Sequence, residues 1–184
     1  QSNGNPDPQT LPYKGGIMAA LFVGLNHHRV KREVSISMHI IVNDPNLKPA
    51  DLLGFCVGWR QPLDPEALFA TLKGSYRYII ARDDDGKVIG FANAISDGTF
   101  AAYIPLVEVL PENQGAGVGT AIMRELLNEF EDFRIVDLMC DPPVQEFYKT
   151  LDMIPMVGMR ASRVKSGASQ VPAQPQWPMM SPRK

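Results

Sequence analysis

Three glycines at alternate positions separate a strand-like run from a helix-like run in YIPLVEVLPENQGAGVGTAIMRELL, residues 103–127. A helix that begins near Gly117 or Val118 has N–H groups without backbone partners at the positive end of its dipole. Gly115, Gly117 and Gly119 allow a sharp turn and leave room for a bulky anion. The pattern predicts a diphosphate site, although a plain tight connection between strand and helix would use the same glycines.

Two familiar phosphate-binding motifs do not fit this turn. A Walker loop needs GxxxxGK[ST], and the turn has no lysine. The dinucleotide fingerprint GxGxxG would require a third glycine where the chain has Thr120, and it belongs to an opening βαβ unit. The predicted anion site therefore belongs to neither of these nucleotide-binding classes.

Glu108 is an acid inside an otherwise apolar strand, IPLVEVL. Its carboxylate either faces solvent on an alternating strand or lies at an opening in the sheet with a raised pKa. Strand alternation does not decide between the two, because bulges are frequent beside active sites. Glu108 is thus a candidate base or amine ligand, and Asp97, Tyr103 and a water relay are its rivals.

The cysteines and histidines carry weaker signals. Cys56 and Cys140 each lie in an apolar run, where a buried, inert thiol is expected. The adjacent His27 and His28 point apart on a strand and have no accompanying cluster of ligands, so no metal site is predicted.

The elements that must position these residues alternate in type. A capped helix is predicted where Asp64 precedes Pro65 and Gly74 ends the pattern. DDDG between two β-rich runs predicts a hairpin. The predicted order is a strand over 33–42, a helix around 52–56, the capped helix, strands over 76–82, 87–96 and 99–110, a helix from 119, a strand over 134–141, a helix over 142–153 and a strand over 155–164. This order predicts an α+β fold around a mixed, mostly antiparallel sheet flanked by helices.

Length and composition fit one domain. The chain has 184 residues, 45% of them apolar, and a net charge of −2, so no global field favours nucleic acid or a membrane as partner. Two cysteines do not form a disulfide framework, and we predict a reducing, cytoplasmic location. We predict a flexible N-terminal arm at 1–16, a domain at 17–165 and a Pro-rich C-terminal tail at 166–184.

The glycine turn and its surroundings resemble the acetyl-CoA motif of the GNAT superfamily of N-acetyltransferases. The motif [QR]xxGx[GA] is matched by Gln114, Gly117 and Gly119, and EFYKTLDM resembles the second signature of the family. The upstream segment, with a Gly-Trp pair at 58–59 and Ser-Asp-Gly at 96–98, resembles a small bacterial-type branch. The resemblance covers about 51–163 and implies a three-layer fold whose sheet splays at the acetyl-CoA strand.

The resemblance implies a cosubstrate, acetyl-CoA, and no metal. It places pantetheine in the splayed sheet against backbone of 107–109, with the N–H of Val109 or Leu110 polarising the thioester carbonyl. Asp141 stands where many relatives carry an asparagine that binds the cofactor. The implied cofactor-binding residues are Val107, Val109, Gln114, Gly115, Ala116, Gly117, Val118, Gly119, Thr120 and Asp141.

The resemblance also assigns chemistry. Tyr148 stands where the family places the acid that protonates the leaving thiolate, although an amphipathic helix alone would favour a core tyrosine. Trp59, taken as an exposed loop residue, and Tyr103 are expected to bind the acceptor, a small-molecule or peptide amine. The alternatives are an acyl-CoA-binding sensor domain without turnover and a protein N-terminal or lysine acetyltransferase. A homodimer is the expected assembly.

Overall fold

A computed structural model of the protein describes residues 37–59 and 62–159. The predicted N-terminal arm at 1–16, the pair His27 and His28, and the predicted tail at 166–184 lie outside the described residues. The domain limits at 17 and 165 therefore stay predictions.

Five strands form one mixed sheet in chain order. The first four are antiparallel to their neighbours, and the last is parallel to the fourth. The mixed, mostly antiparallel sheet predicted from the sequence is confirmed. The strands are β1 Met38–Val42, β2 Arg77–Asp83, β3 Val88–Ser96, β4 Ala101–Val109 and β5 Ile135–Leu138.

Three α-helices flank this sheet: α1 Pro65–Lys73, α2 Val118–Asn128 and α3 Gln145–Lys149. The capped helix is confirmed as α1, because the Asp64 carboxylate accepts the N–H of Ala67 at 2.7 Å and Gly74 ends the helix. Short 3-10 turns Pro49–Leu52, Pro111–Asn113 and Pro142–Val144 complete the connections.

Two apolar cores lie on opposite faces of the sheet. The α2-side core joins α2 and α3 to one face, and the α1-side core joins α1 and the segment after β1 to the other. Helices on both faces give the three layers of the predicted fold. The α2-side core includes Ile79, Ile89, Ile104, Val107, Val109, Ile122, Leu126 and Tyr148, and the α1-side core includes Leu52, Phe55, Trp59, Leu68, Ile80, Phe91, Leu106 and Leu110.

One predicted element was wrong, and another is absent where the structure describes it. In place of a helix around 52–56, the 3-10 turn ends at Leu52 and a loop follows in which Gly54, Cys56 and Gly58 all have positive φ. A regular helix is impossible with three left-handed residues at alternate positions. The predicted strand over 155–164 is not formed at 155–159, and its remaining residues lie outside the described ranges.

A bulge in β4 changes which face its side chains occupy. Asn93 pairs with Leu106 but Ile95 pairs with Tyr103, so Ala94 faces the two residues Ile104 and Pro105. Before the bulge, even-numbered residues of β4 pack on the α2 side; after it, even-numbered residues pack on the α1 side. One extra residue in a strand reverses the alternation in this way.

Candidate active site

The sheet opens between β4 and β5 immediately after the bulge. Their parallel pairing ends at Ile104 and Leu138, whereas β4 continues along β3 to Val109. Pro105 has no N–H with which to extend the ladder. Among the described residues, no strand pairs with this edge of β4 over 105–109.

The backbone of Val107 and Val109 points to this open edge. Leu110 donates its N–H to Ile89 O at 3.0 Å, and bonded pairs alternate along an antiparallel ladder. Residues 107 and 109 then belong to the pairs that do not bond to β3. Leu110, one of two predicted donors to a thioester carbonyl, is engaged within the sheet, and Val109 is the donor that remains.

The glycine turn follows the open edge and begins α2. Gly115 and Gly117 have φ of 76° and 86°, and at neither would an added Cβ meet another described heavy atom within 4 Å. The first helical bond runs from Ala121 N to Gly117 O at 3.0 Å, so the amides of 118–120 have no acceptor within the helix. Both features suit a bulky anion at the helix start.

Gln114 is bound differently from what the sequence predicts. Its backbone N–H donates to Pro111 O at 3.4 Å, and its side-chain Nε2 donates to Val109 O at 3.0 Å. The backbone N–H is therefore not a free ligand for an anion, and the side chain holds the turn against the end of β4.

Tyr148 lies on the α2 side of the opening. Its side chain is 3% exposed and packs in the same core as Val107 and Val109. Its hydroxyl is buried and has no hydrogen-bond partner among residues 37–59 and 62–159. Burial, and secondarily the negative charge that Cys140 carries once it is ionised, raises the pKa of Tyr148, so the phenol keeps its proton at neutral pH.

Glu108 lies on the other face, within the α1-side core. It is 7% exposed, and both of its carboxylate oxygens accept the N–H of Cys56 at 3.0 Å. Burial raises the pKa of Glu108, and the hydrogen bonds from Cys56 oppose that shift. The sequence left two orientations open, and in the structure the carboxylate is buried rather than turned to solvent.

The loop Leu53–Trp59 holds this carboxylate in place. Cys56 has a φ of 59°, which turns its N–H towards Glu108. The ring of Phe55 packs edge-on against Phe91 at 5.2 Å, and Phe91 is the β3 partner of Glu108. Alternating left-handed residues form a concave group of N–H donors that suits anions. Sequence reasoning missed Cys56, and the flanking Gly54 and Gly58 were the signal available for it.

The remaining predicted site residues lie in other surroundings. Trp59 is 9% exposed and part of the α1-side core, so its assignment to an exposed loop was wrong. Asp141 precedes the last 3-10 turn, where its carbonyl accepts the N–H of Val144 at 2.9 Å. Tyr103 lines an open cavity of about 430 Å³ together with Ile95 and Asp137.

Asp97 is poorly suited to act as a base. Its Oδ1 accepts the N–H groups of Thr99, Phe100 and Ala101 at 2.8–3.2 Å. These bonds, that of Phe100 first, lower the pKa of Asp97. A carboxylate engaged by three amides in a turn has little basicity left, which leaves Glu108 better placed.

Within the described part of the chain, no group of three or more His, Cys, Asp or Glu side chains is placed to hold a metal ion. No helix in the same part is long and apolar enough to cross a membrane.

Comparison with known proteins places this site in a family. The Pyropia yezoensis protein "Uncharacterized N-acetyltransferase ycf52" is 34% identical over 59% of this chain and 65% of its own length. The Glycine max protein "Histone acetyltransferase TAP1" is 36% identical over 55% of this chain and 49% of its own. The chain thus spans about two thirds of the first relative and just under half of the second.

The solved structure of an inferred acetyltransferase from Deinococcus radiodurans R1 has the same fold. It superposes with a TM-score of 0.66 and 37% identity, covering 74% of this chain and 94% of that one. Residues 47–153, more than half of the sequence, match the acetyltransferase (GNAT) family. This chain therefore belongs to the acetyltransferase (GNAT) family.

Proposed function

We propose that the protein transfers an acetyl group from acetyl-CoA to a primary amine that attacks the thioester directly. The observation that carries this proposal is the opening between β4 and β5. The glycine turn lies at its end, and two buried ionisable side chains, Glu108 and Tyr148, flank it from opposite faces.

The residues present fit the cosubstrate. The backbone of Val107 and Val109 would pair with pantetheine, and amides within 115–120 would bind the diphosphate, with Thr120 adding its hydroxyl. Gly115 and Gly117 leave the space that a diphosphate needs. Asp141 is the proposed additional contact, through its side chain or backbone. When bound, acetyl-CoA supplies an activated acetyl group.

Glu108 is the proposed base and Tyr148 the proposed acid. The amine nitrogen forms a bond to the acetyl carbon while the carbon–sulfur bond breaks. Glu108 takes the proton that the amine loses, and Tyr148 gives one to the departing sulfur. The N–H of Val109 stabilises negative charge on the acetyl oxygen.

A covalent acyl-enzyme is not part of this proposal. Burial, with the charge of Glu108, raises the pKa of the Cys56 thiol to about 12. Burial also raises the pKa of Cys140. Thiols that keep their protons at neutral pH are poor nucleophiles, so direct attack by the amine is favoured.

The acceptor, the partners, the assembly and the cellular location are also proposals. A small amine is our first choice of acceptor. A peptide lysine or N-terminus is the second choice, and the name of the soybean relative, a histone acetyltransferase, favours this second choice. We propose no nucleic-acid or membrane partner, a homodimer, and a reducing, cytoplasmic location. Membership of the bacterial-type branch, based on Gly-Trp at 58–59 and Ser-Asp-Gly at 96–98, is proposed on the same basis.

Calorimetric titration of acetyl-CoA and of free CoA into the protein and a Gly117→Glu variant tests the site. The new carboxylate would occupy and repel the diphosphate position, so the dissociation constant should rise by about 10²-fold or more. Gly86→Glu is the matched control. Gly86 has a φ of 79°, and an added Cβ there meets no described atom within 4 Å, but it lies in a hairpin turn.

A thiol-release assay with phenethylamine and Nα-acetyl-lysine amide then tests turnover. Release of CoA with either amine supports the transferase. Tight CoA binding without release would favour the acyl-CoA sensor, and equal CoA affinity in the Gly117→Glu variant would remove the glycine turn from the site.

A further inference from the structure

Asn93 is a buried polar residue that the proposed mechanism does not use. It lies in β3 and is 1% exposed. Its Nδ2 donates to Ser75 Oγ at 2.8 Å, and its Oδ1 is buried without a hydrogen-bond partner among the described residues. Buried oxygens of this kind are rare, because an unpaired polar atom loses its hydration without compensation.

A relay of hydrogen bonds fixes the orientation of this amide. Ser75 donates its own hydroxyl proton to Thr71 O at 2.8 Å, so its oxygen is left to accept from Asn93. A flipped amide would set two acceptors against each other. The oxygen Oδ1 therefore points away from Ser75, and it is an acceptor that requires an N–H or O–H donor.

The register places Asn93 beside the proposed base. Asn93 pairs with Leu106 across β3 and β4, and the next pair on the same face is Phe91 with Glu108. Asn93 and Glu108 are thus diagonal neighbours on the α1 side, at a separation of about 7–8 Å between backbone positions. Both side chains offer oxygen acceptors on the α1 side of the sheet, the side on which the proposed base would meet the amine.

We propose that Asn93 Oδ1 binds one N–H of the acceptor amine and selects primary over secondary amines. This inference rests on the proposed function. A neutral primary amine has two N–H groups beside the lone pair that attacks. One proton is given up to Glu108, and the other hydrogen bonds to Asn93. A secondary amine has a single N–H, which Glu108 requires, and it leaves Asn93 unpaired.

The test compares phenethylamine with N-methylphenethylamine in the wild-type protein and in Asn93→Leu. Wild type should prefer the primary amine by about 10²-fold in kcat/KM, because a site built to bind a donor rejects the analogue that lacks it. Asn93→Leu should lose about tenfold or more with the primary amine and much less with the secondary one. Nα-acetyl-lysine amide and its Nε-methyl derivative form the equivalent pair for a lysine-like acceptor.

Two further measurements separate binding from folding. The CoA dissociation constant of Asn93→Leu should equal that of wild type, since Asn93 lies on the face opposite the core that contains Tyr148. Ser75→Ala, which frees the amide to rotate, should reduce the primary-amine preference partially, and it serves as the test if Asn93→Leu does not fold.

The outcomes are distinct. An unchanged preference for primary amines in the folded variants would overturn the assignment of Asn93 and leave the transferase intact. Wild-type protein that binds CoA but acetylates no amine would refute the proposed function, and the assignment of Asn93 with it.

Discussion

The two sides of the opening in the sheet are built in different ways. On the proposed cofactor side, residues 107–120 provide, in one continuous segment, the open strand edge, the turn and the helix start. On the proposed acceptor side, the main contact joins Cys56 to Glu108, residues 52 positions apart in the chain. The first site is made by neighbours in sequence, whereas the second exists only after the α1-side core has formed.

The two sides differ in how far they depend on particular side chains. Backbone amides at a helix start bind an anion whatever the side chains, provided that glycines give the turn its shape. The acceptor side depends on individual side chains, on the bulge at Pro105 and on the loop that carries Cys56. We infer that changes of acceptor in such a fold arise on the second side without disturbing the first.

The largest effect is expected from Glu108→Gln. It removes the proposed base while keeping an oxygen that can accept from Cys56, so kcat/KM should fall by about 10²–10⁴-fold. The CoA dissociation constant should not change. A variant that loses CoA affinity would show that the two sides are coupled through β4.

The pH profiles of wild type and Glu108→Gln provide the matching control. Glu108 acts as a base only when ionised, so wild-type kcat/KM should fall as pH decreases through its raised pKa, and the variant should lack this limb. Burial raises the pKa of Glu108 in the folded protein. The stability that Glu108 contributes is therefore fully present at a pH below its pKa in the unfolded chain, and it is lost as the pH rises through the folded pKa. The variant should therefore unfold at a higher temperature than wild type at neutral pH, with the difference shrinking in acid.

Tyr148→Phe should have the next largest effect. Turnover should fall by about 10–10²-fold. This loss is at the lower end of what removal of a general acid causes, because water can protonate the thiolate in place of Tyr148. The buried hydroxyl has no partner among the described residues, so its removal should not destabilise the protein and its melting temperature should be equal or higher. Thermal unfolding tests the expected melting temperature, and thiol-release kinetics test the expected loss of turnover. Turnover equal to that of wild type would remove Tyr148 from the mechanism.

Sequence predicted the elements whose signals are local. Asp64 with Pro65 gave α1, and DDDG gave the β2–β3 hairpin, because caps and turns depend on a few neighbouring residues. The prediction of a helix around 52–56 was wrong because it rested on apolar spacing alone. It did not consider the left-handed loop that Gly54 and Gly58 permit.

The acceptor side shows why the remainder was not predictable. The face of Glu108 depends on the bulge near Pro105, and a single extra residue reverses every side chain beyond it. Trp59 was taken as exposed because its burial comes from the α1-side core, which also contains Ile80, Phe91 and Leu106 from strands further along the chain. Gly54 and Gly58 mark the loop around Cys56, but no residue type identifies Glu108 as its partner, since the donor is a backbone N–H.

The smallest effect is expected from Lys87→Ala, which tests whether side-chain charge matters on the cofactor side. Lys87 and Glu112 form a 3.0 Å ion pair beside the turn, with both side chains 57% exposed. Such pairs contribute about 0–1 kcal/mol, so the free energy of unfolding should change by less than about 1 kcal/mol. Without Lys87, the charge of Glu112 is unbalanced near the diphosphate position. The CoA dissociation constant should rise by at most about threefold at low salt, and the difference should vanish at about 1 M salt, where the screening length is about 3 Å. A loss of tenfold or more that persists in salt would mean that Lys87 binds the ligand directly, and that the cofactor side, too, depends on a side chain from another part of the chain.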